Sequence, residues 1–300
     1  MRERDGNILC VEIGGTNLRW GVTDPNNHLL AFEKISSADF SEAGDKGAYL
    51  QQLLKPARER YGGICLSLSL ASLMDRDRTI CYNSPNLKGM DHLPLKTMLE
   101  ERFRLPVVME RDVNTSLLYE LRKQRLNAEG IVIGIFIGTG LGNAMSIDGK
   151  IYRGYTGSSC ELGHIPLYGL NETCGCGKKG CLELKGSGRT LATLAEEKYH
   201  CAVEDIFTLH GEEAEVREVV RICAAAAATE ITILDPVCVI LGGGVTKMRA
   251  FPEEYFRKCV KENLRIPNPR ESLRIIPASD DPEAGVVGAA LNAEAILALR

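Results

Sequence analysis

The chain has 300 residues, 44% hydrophobic and 25% charged, the profile of a folded globular protein long enough for two domains, each with its own core. Its 36 basic and 40 acidic residues leave a net charge of −4, which gives no pull toward nucleic acid or an anionic membrane. No apolar run approaches the roughly 20 residues of a membrane span, and the opening "MRERDGNILC" lacks the apolar core and cleavage site of a signal peptide, so a cytoplasmic location is expected.

In chain order, strands come first. "NILCVEIGG", "NLRWGVTD" and "HLLAFEKIS" are separated by glycine and by Asp24-Pro25-Asn26-Asn27, and predict a three-strand antiparallel meander. A helix is expected over 46–62, bent or restarted near Pro56, followed by the strand "GICLSLSL", the strand "PVVMERD" and the helix "NTSLLYELRKQ". The opening pattern then returns in "IVIGIFIGTG", "LGNAMSIDG" and "KIYRG". Helices follow in "GRTLATLAEEKY" and "EVREVVRICAAAAATEITILD", then the strand "VCVILGGG", the helix "PEEYFRKCVKENL", the strand "LRIIPAS" and a last helix over 284–300. One β-meander-plus-βα unit used twice, with a cleft between the halves, accounts for this order.

Eleven cysteines accompany no export signal. Most stand singly in apolar stretches, as Cys65 and Cys238 do, where a reduced thiol is a small hydrophobe. Cys174, Cys176 and Cys181 cluster in "ELGHIPLYGLNETCGCGKKGCLE", which leaves open a disulfide framework, a metal knot or a pocket built around one. Two turns, "EIGGTNLR" and "IGTGLGNA", each follow a buried strand. Glycine lets backbone N–H groups converge there, as an oligophosphate requires, although a tight hairpin would use the same residues. Neither turn has P-loop or dinucleotide-fingerprint spacing.

"EIGGTNLRWGV", "RDVN", "IGTGLGNA", "ELGH", "CGCGKKGCLE" and "VILGGGV" occur in the order and spacing of the ROK family of sugar kinases, repressors and open reading frames, which the chain resembles over essentially its whole length. The resemblance implies a two-lobed actin-like ATPase (ribonuclease-H-like) α/β fold. The expected small lobe is 1–111 plus helix 284–300, and the large lobe is 112–283. It also implies ATP and Mg²⁺ as cosubstrates, a hexose as acceptor and a homodimer. Gly14, Gly15 and Thr16, with Gly138, Thr139, Gly140 and Gly142, would hold the phosphates, and Gly242, Gly243 and Gly244 would line the adenosine side. The first glycine turn begins at residue 12, so no DNA-binding domain is expected ahead of it.

By the same resemblance Asp112 is the catalytic base, where a lone Asp between strand and helix would otherwise read as a cap. Asn86, Glu161, His164 and Glu183 match positions that bind sugar hydroxyls, and carboxylates with an imidazole suit a polyol. Asn86 next to Pro85 is equally at home in a turn. His164, Cys174, Cys176 and Cys181 make a Cys₃His set, the signature of structural Zn²⁺ with no position left for a catalytic water. One ring nitrogen of His164 would bind the metal while the other faces the sugar.

Three departures bear on substrate. Glu12 stands where the family has an Asp that helps hold Mg²⁺. Arg111 replaces the Asn that precedes the base in glucose-type members, and a five-donor cation cannot both donate and accept. Leu70-Ala71 replaces a Pro-Gly turn beside the sugar. With "RDVN", "SLASLMDRDRTI" and "DPVCVILGGGV", these are most similar to the D-allose-phosphorylating members. Glucose, fructose or N-acetylmannosamine kinases remain alternatives, as do a catalytically weak sugar sensor and a metal-binding interaction module.

Overall fold

Alternating and continuous apolar runs build the first sheet as its sequence foretells. The computed structural model describes residues 6–126 and 129–298. The opening "MRERD" and the last two residues of the expected C-terminal helix lie outside them. The chain divides into unit 1, residues 1–125, 153–159 and 281–300, and unit 2, residues 126–152 and 160–280.

In unit 1, β1 (Ile8–Ile13), β2 (Asn17–Thr23) and β3 (Leu29–Ser36) form the antiparallel meander. The short α1 (Ala38–Glu42) follows, then α2 (Lys46–Tyr61), one helix that runs through Pro56 without a restart. Asp45 caps α2 by accepting from the Ala48 N–H at 2.8 Å. Strand β4 (Cys65–Leu70) pairs in parallel with β1. A small hairpin, β5 (Leu73–Met74) and β6 (Cys81–Asn83), and helix α3 (Leu95–Phe103) precede β7 (Val107–Arg111), parallel to β4. Helix α4 (Asp112–Lys123) begins on the next residue.

Unit 2 repeats the plan. Strands β8 (Ile131–Ile137), β9 (Leu141–Ile147) and β10 (Lys150–Ile151) make a second meander. Helix α5 (Gly188–Thr193) continues as a π-helical turn, Leu194–Tyr199, and α6 (Ile206–His210) and α7 (Ala214–Leu234) follow. Strand β11 (Cys238–Gly242) pairs in parallel with β8; after α8 (Glu253–Glu262), β12 (Ile275–Pro277) pairs in parallel with β11. Helix α9 (Ala284–Leu297) belongs to unit 1. The sheet orders, β3-β2-β1-β4-β7 and β10-β9-β8-β11-β12, are the same topology twice.

The parallel strands are buried on both faces, which is why they read as continuous apolar runs. On one face Leu9, Val11, Ile13, Leu66, Leu68 and Leu70 pack under α2 and α3. On the other, Ile8, Cys10, Cys65 and Val108 meet Val286, Ala289, Ala290 and Ala293 of α9. Cys10 and Cys65 act there as small hydrophobes beneath an alanine-rich helix. In unit 2, Ala224, Ala226, Ala227 and Ala228 are buried in the core, so the alanine run of α7 serves internal packing. Helix α4, expected in the large lobe, lies in unit 1 with α9. Gly288 permits the approach, since a Cβ there would lie 2.6 Å from the Thr115 carbonyl carbon.

Candidate functional site

The residues singled out by sequence fall into two groups, one in each unit. In unit 1, the turn after β1 closes with Gly14 N–H donating to Asn17 O at 2.9 Å, and Ser37 Oγ donates to Gly15 O at 2.9 Å. Gly15 and Thr16 are exposed. A Cβ on Gly15 would lie 2.8 Å from Cβ of Asn86, so glycine brings the turn against the "SPNL" loop. Asn86 is itself exposed.

Glu12 lies opposite Arg19 in the β1–β2 register and accepts from its Nη1 at 3.0 Å. Burial still holds the Glu12 carboxyl above its ordinary range, against the pull of Arg19. The extra methylene finds room because residue 285, in the first turn of α9, is glycine: a Cβ there would lie 2.6 Å from Glu12 Oε2. A single carboxylate at a strand end, together with substrate phosphates, is how Mg²⁺ is usually held, so Glu12 fits that cation.

Asp112 is the first residue of α4, one past the cap position Arg111, which makes no side-chain cap bond. Its Oδ1 accepts from Val113 N–H at 2.8 Å. The side chain is half-buried and densely surrounded. Burial pushes its pKa up to about 6, with Glu12 adding to the rise while Arg111 and Val113 N–H oppose it. Arg111 is 8% exposed, and its Nη1 donates to Ser159 O at 2.6 Å.

In unit 2, Gly138 N–H donates to Gly140 O at 3.0 Å, and Gly188 and Arg189 N–H groups donate to Gly138 O and Thr139 O at 2.8 and 3.0 Å. Gly243, at φ +98°, presses on the Ile137 backbone, where a Cβ would lie 2.6 Å from Ile137 N. Segments 137–140, 186–189 and 242–244 therefore converge. Cβ atoms at Gly138 and Gly244 would meet nothing within 4 Å, which leaves open backbone of the kind that cradles phosphate. Gly142 follows on β9, and Gly242 packs against Phe136 and Ala278.

Glu161 and His164 sit on one 3₁₀ turn, His164 N–H donating to Glu161 O at 2.9 Å. His164 Nε2 is 3.6 Å from Glu161 Oε2, while Nδ1 is 3.7 Å from Cys174 Sγ and 3.9 Å from Glu183 Oε1. The ligand atoms of His164, Cys174, Cys176 and Cys181 all lie within 4.8 Å of one another, and Cys176 and Cys181 sulfurs are 3.5 Å apart. Three thiols and Nδ1 at this spacing fit Zn²⁺, and leave Nε2 turned toward Glu161. A tight loop carries the cysteines: Cys174 N–H donates to Lys178 O at 2.8 Å and Gly177 N–H to Cys174 O at 2.9 Å. Glu183 Oε2 comes within 2.6 Å of where a Gly140 Cβ would be, so the second glycine turn and the Cys/His loop adjoin.

The ROK family model matches residues 8–296. The chain belongs to the ROK family. It is 30% identical to a glucokinase of Streptomyces coelicolor over 95% of this chain and 96% of that one. It is likewise 30% identical to an N-acetyl-D-glucosamine kinase of Vibrio parahaemolyticus, over 93% and 97%. The structure of a Streptomyces griseus ROK glucokinase with glucose and AMPPNP superposes with a TM-score of 0.80 at 29% identity, covering 95% and 98%. This ROK protein has the actin-like ATPase fold and is an ATP-dependent sugar kinase. Among the described residues, no helix is long and apolar enough to cross a membrane.

Several residues of this ROK kinase escaped the sequence reading. Gly188, at the start of α5, supports the second glycine turn through its N–H bond to Gly138 O. Asn143 on β9 accepts from Leu162 N–H at 2.9 Å and donates to Glu230 Oε1 at 2.8 Å, tying the "ELGH" turn to α7. Burial pushes Glu230 up to about 7. Buried Glu110 and Arg78, with the half-buried Arg153, form a charge cluster beside Asp112.

Proposed function

We propose that this kinase transfers the γ-phosphoryl group of ATP to a hydroxyl of a hexose, with Asp112 taking the proton from the attacking hydroxyl. The observation that carries the proposal is a carboxylate directly after the C-terminal end of the parallel edge strand β7, at the first residue of α4, with its pKa raised to about 6. A base so tuned is mostly ionised at neutral pH and still basic enough to assist. Phosphoryl transfer otherwise needs alignment and charge stabilisation. The backbone N–H groups of Gly15, Thr16, Thr139 and Gly140 would donate to phosphate oxygens, with Gly14 and Gly138 closing the two turns through their own N–H groups, and Gly242–Gly244 would flank the adenosine. Mg²⁺, when bound, supplies positive charge on the phosphates, and Glu12 would help hold it. Glu161, His164 and Glu183 would bind ring hydroxyls, with Asn86 as a further contact. Zn²⁺ in the Cys₃His set would fix the ring and tautomer of His164, so that Nε2 keeps its direction toward the sugar.

D-Allose is the sugar we put first, on the strength of Arg111 and Leu70-Ala71. The bond from Arg111 to Ser159 O favours an indirect effect of this residue on the pocket over direct contact with a hydroxyl. Glucose, N-acetylglucosamine and N-acetylmannosamine are the competing substrates. The test is kcat/KM for all of them in one ATP-coupled assay, with Arg111→Asn alongside. An epimer keeps the hydroxyl but moves it, so a lead of about 10- to 100-fold for allose is expected. A lead for glucose or an amino sugar would remove the allose assignment and leave the kinase. The Glu12–Arg19 bond favours one second reading, a sugar sensor with slow turnover, which a kcat of the order of 10 s⁻¹ would exclude. A homodimer is proposed from the family resemblance, to be checked by sedimentation.

A further inference from the structure

The charge cluster next to Asp112 calls for a role. Glu110 is 0% exposed and accepts four hydrogen bonds, with Arg78 Nη2 as a further ion-pair contact. Arg78 Nε and Nη2 each lie 3.1 Å from its Oε1, and Asn114 Nδ2 and the Arg111 backbone N–H each lie 2.9 Å from the same atom. Arg153 Nε lies 2.5 Å from Oε2. The cations have further anchors: Arg78 Nη1 donates to Gly157 O at 2.8 Å and Arg153 Nη2 to Asn292 Oδ1 at 3.0 Å. With the bond from Arg111 to Ser159, three arginines hold segment Arg153–Ser159, the loop after β5 and α9 around the end of β7.

Burying one carboxylate with one buried and one half-buried guanidinium group is weak as a source of stability, because well-packed apolar residues often do as well or better. The arrangement does specify direction. Two of its bonds hold residues on both sides of Asp112, one to the backbone N–H of Arg111 and one to the side-chain amide of Asn114 on the first turn of α4. We infer that Glu110 is a positioning residue for phosphoryl transfer, fixing the start of α4 so that the Asp112 carboxylate keeps its aim. This rests on Asp112 being the base. A misplacement of about 1 Å can cost on the order of 10²-fold in rate.

The test uses the full chain. Glu110→Gln keeps the shape, removes the charge and turns one acceptor into a donor. Expected is a 10- to 100-fold fall in kcat, with the dissociation constant for sugar, measured calorimetrically without nucleotide, unchanged within about 3-fold. The double variant Glu110→Gln/Arg153→Gln removes one of the stranded cations; it should recover melting temperature without recovering kcat. If Glu110→Gln does not fold, the double variant is read by itself on the same two measurements. A folded variant with kcat within about 3-fold of wild type, or a double variant that regains kcat together with melting temperature, overturns the inference. Asp112→Asn run in parallel separates the two ideas. If it stays active, the base assignment fails and the positioning role with it; if it is inactive while Glu110→Gln is normal, only the positioning role fails.

Discussion

The two glycine turns follow equivalent strands in sheets of one topology, yet they are built for different work. In the first, Ile13 pairs with Leu18 and the residue before it is Glu12, opposite Arg19. In the second, Ile137 pairs with Leu141 and the residue before it is Phe136, opposite Gly142. A repeated backbone thus sets charge at the edge of one sheet and apolar surface at the other. The contrast extends to the parallel strands. In unit 1 the edge strand β7 runs into Asp112, whereas in unit 2 it is β11, the counterpart of β4, that runs into Gly243 and the open backbone of Gly244. Each unit carries a glycine turn and carboxylates; Asp112 and Glu12 stand in unit 1, and the Cys/His knot stands in unit 2. The shared topology says where chemistry can sit, and the side chains at the strand ends decide which chemistry it is.

The contrast breaks most sharply at Asp112. Asp112→Asn should lower kcat by about 10²–10⁴-fold, the range of general-base assistance, while sugar affinity by calorimetry stays near wild type. A variant keeping a third of its turnover would show that unit 1 does not supply the base. Next in size is the knot of unit 2. Cys176→Ser should weaken zinc by at least the roughly 10- to 100-fold that loss of an outer-shell partner costs, and should lower sugar affinity with it. Metal analysis finding a zinc-free, fully active wild type would detach the knot from function.

Smaller effects sharpen the comparison within unit 2. Gly243→Ala places a side chain at φ +98° against the Ile137 backbone and should cost about 1–3 kcal/mol in chemical denaturation. Gly244→Ala faces open space and should change stability by less than about 0.5 kcal/mol while weakening nucleotide binding. Equal losses in stability would mean that the two glycines do not divide shape from access. The mildest test is pH. Only ionised Asp112 accepts a proton, so kcat/KM for sugar should fall about tenfold per unit below pH 6 and level off above it. Because the folded pKa is raised, the contribution of this group to stability is fully present below the ordinary aspartate value and is lost as pH rises through about 6. An activity profile flat down to pH 5 would remove Asp112 as the titrating base.

Much of the fold was legible in sequence because buried parallel strands are continuous apolar runs and their ends carry glycine or charge. Asp112 at the junction of strand and helix, and the spacing of Cys174, Cys176 and Cys181 behind His164, were legible for the same local reasons. The Glu110 cluster was not, since its members stand at 78, 110, 114, 153 and 292 and none has a local pattern to mark it. The boundary of unit 1 was misplaced at 112 because repetition of the βα pattern says nothing about which sheet a connecting helix packs on. That choice is made by contacts such as Gly288 on Thr115. Helix α3, nine residues set behind Pro94, is too short and too weakly amphipathic to stand out in the sequence.

Glu12 and Gly285 share one small volume, and that gives the chain a direction in which it can change. A side chain at 285 would collide with the glutamate carboxylate, but a shorter aspartate at 12 would vacate part of that space. Exchanging Glu12 for Asp first therefore opens position 285 to alanine, whereas alanine first meets the full clash. The same two substitutions, made in opposite orders, pass through one tolerated intermediate and one damaged one, so an evolving lineage could leave the glutamate state through position 12 and not through position 285.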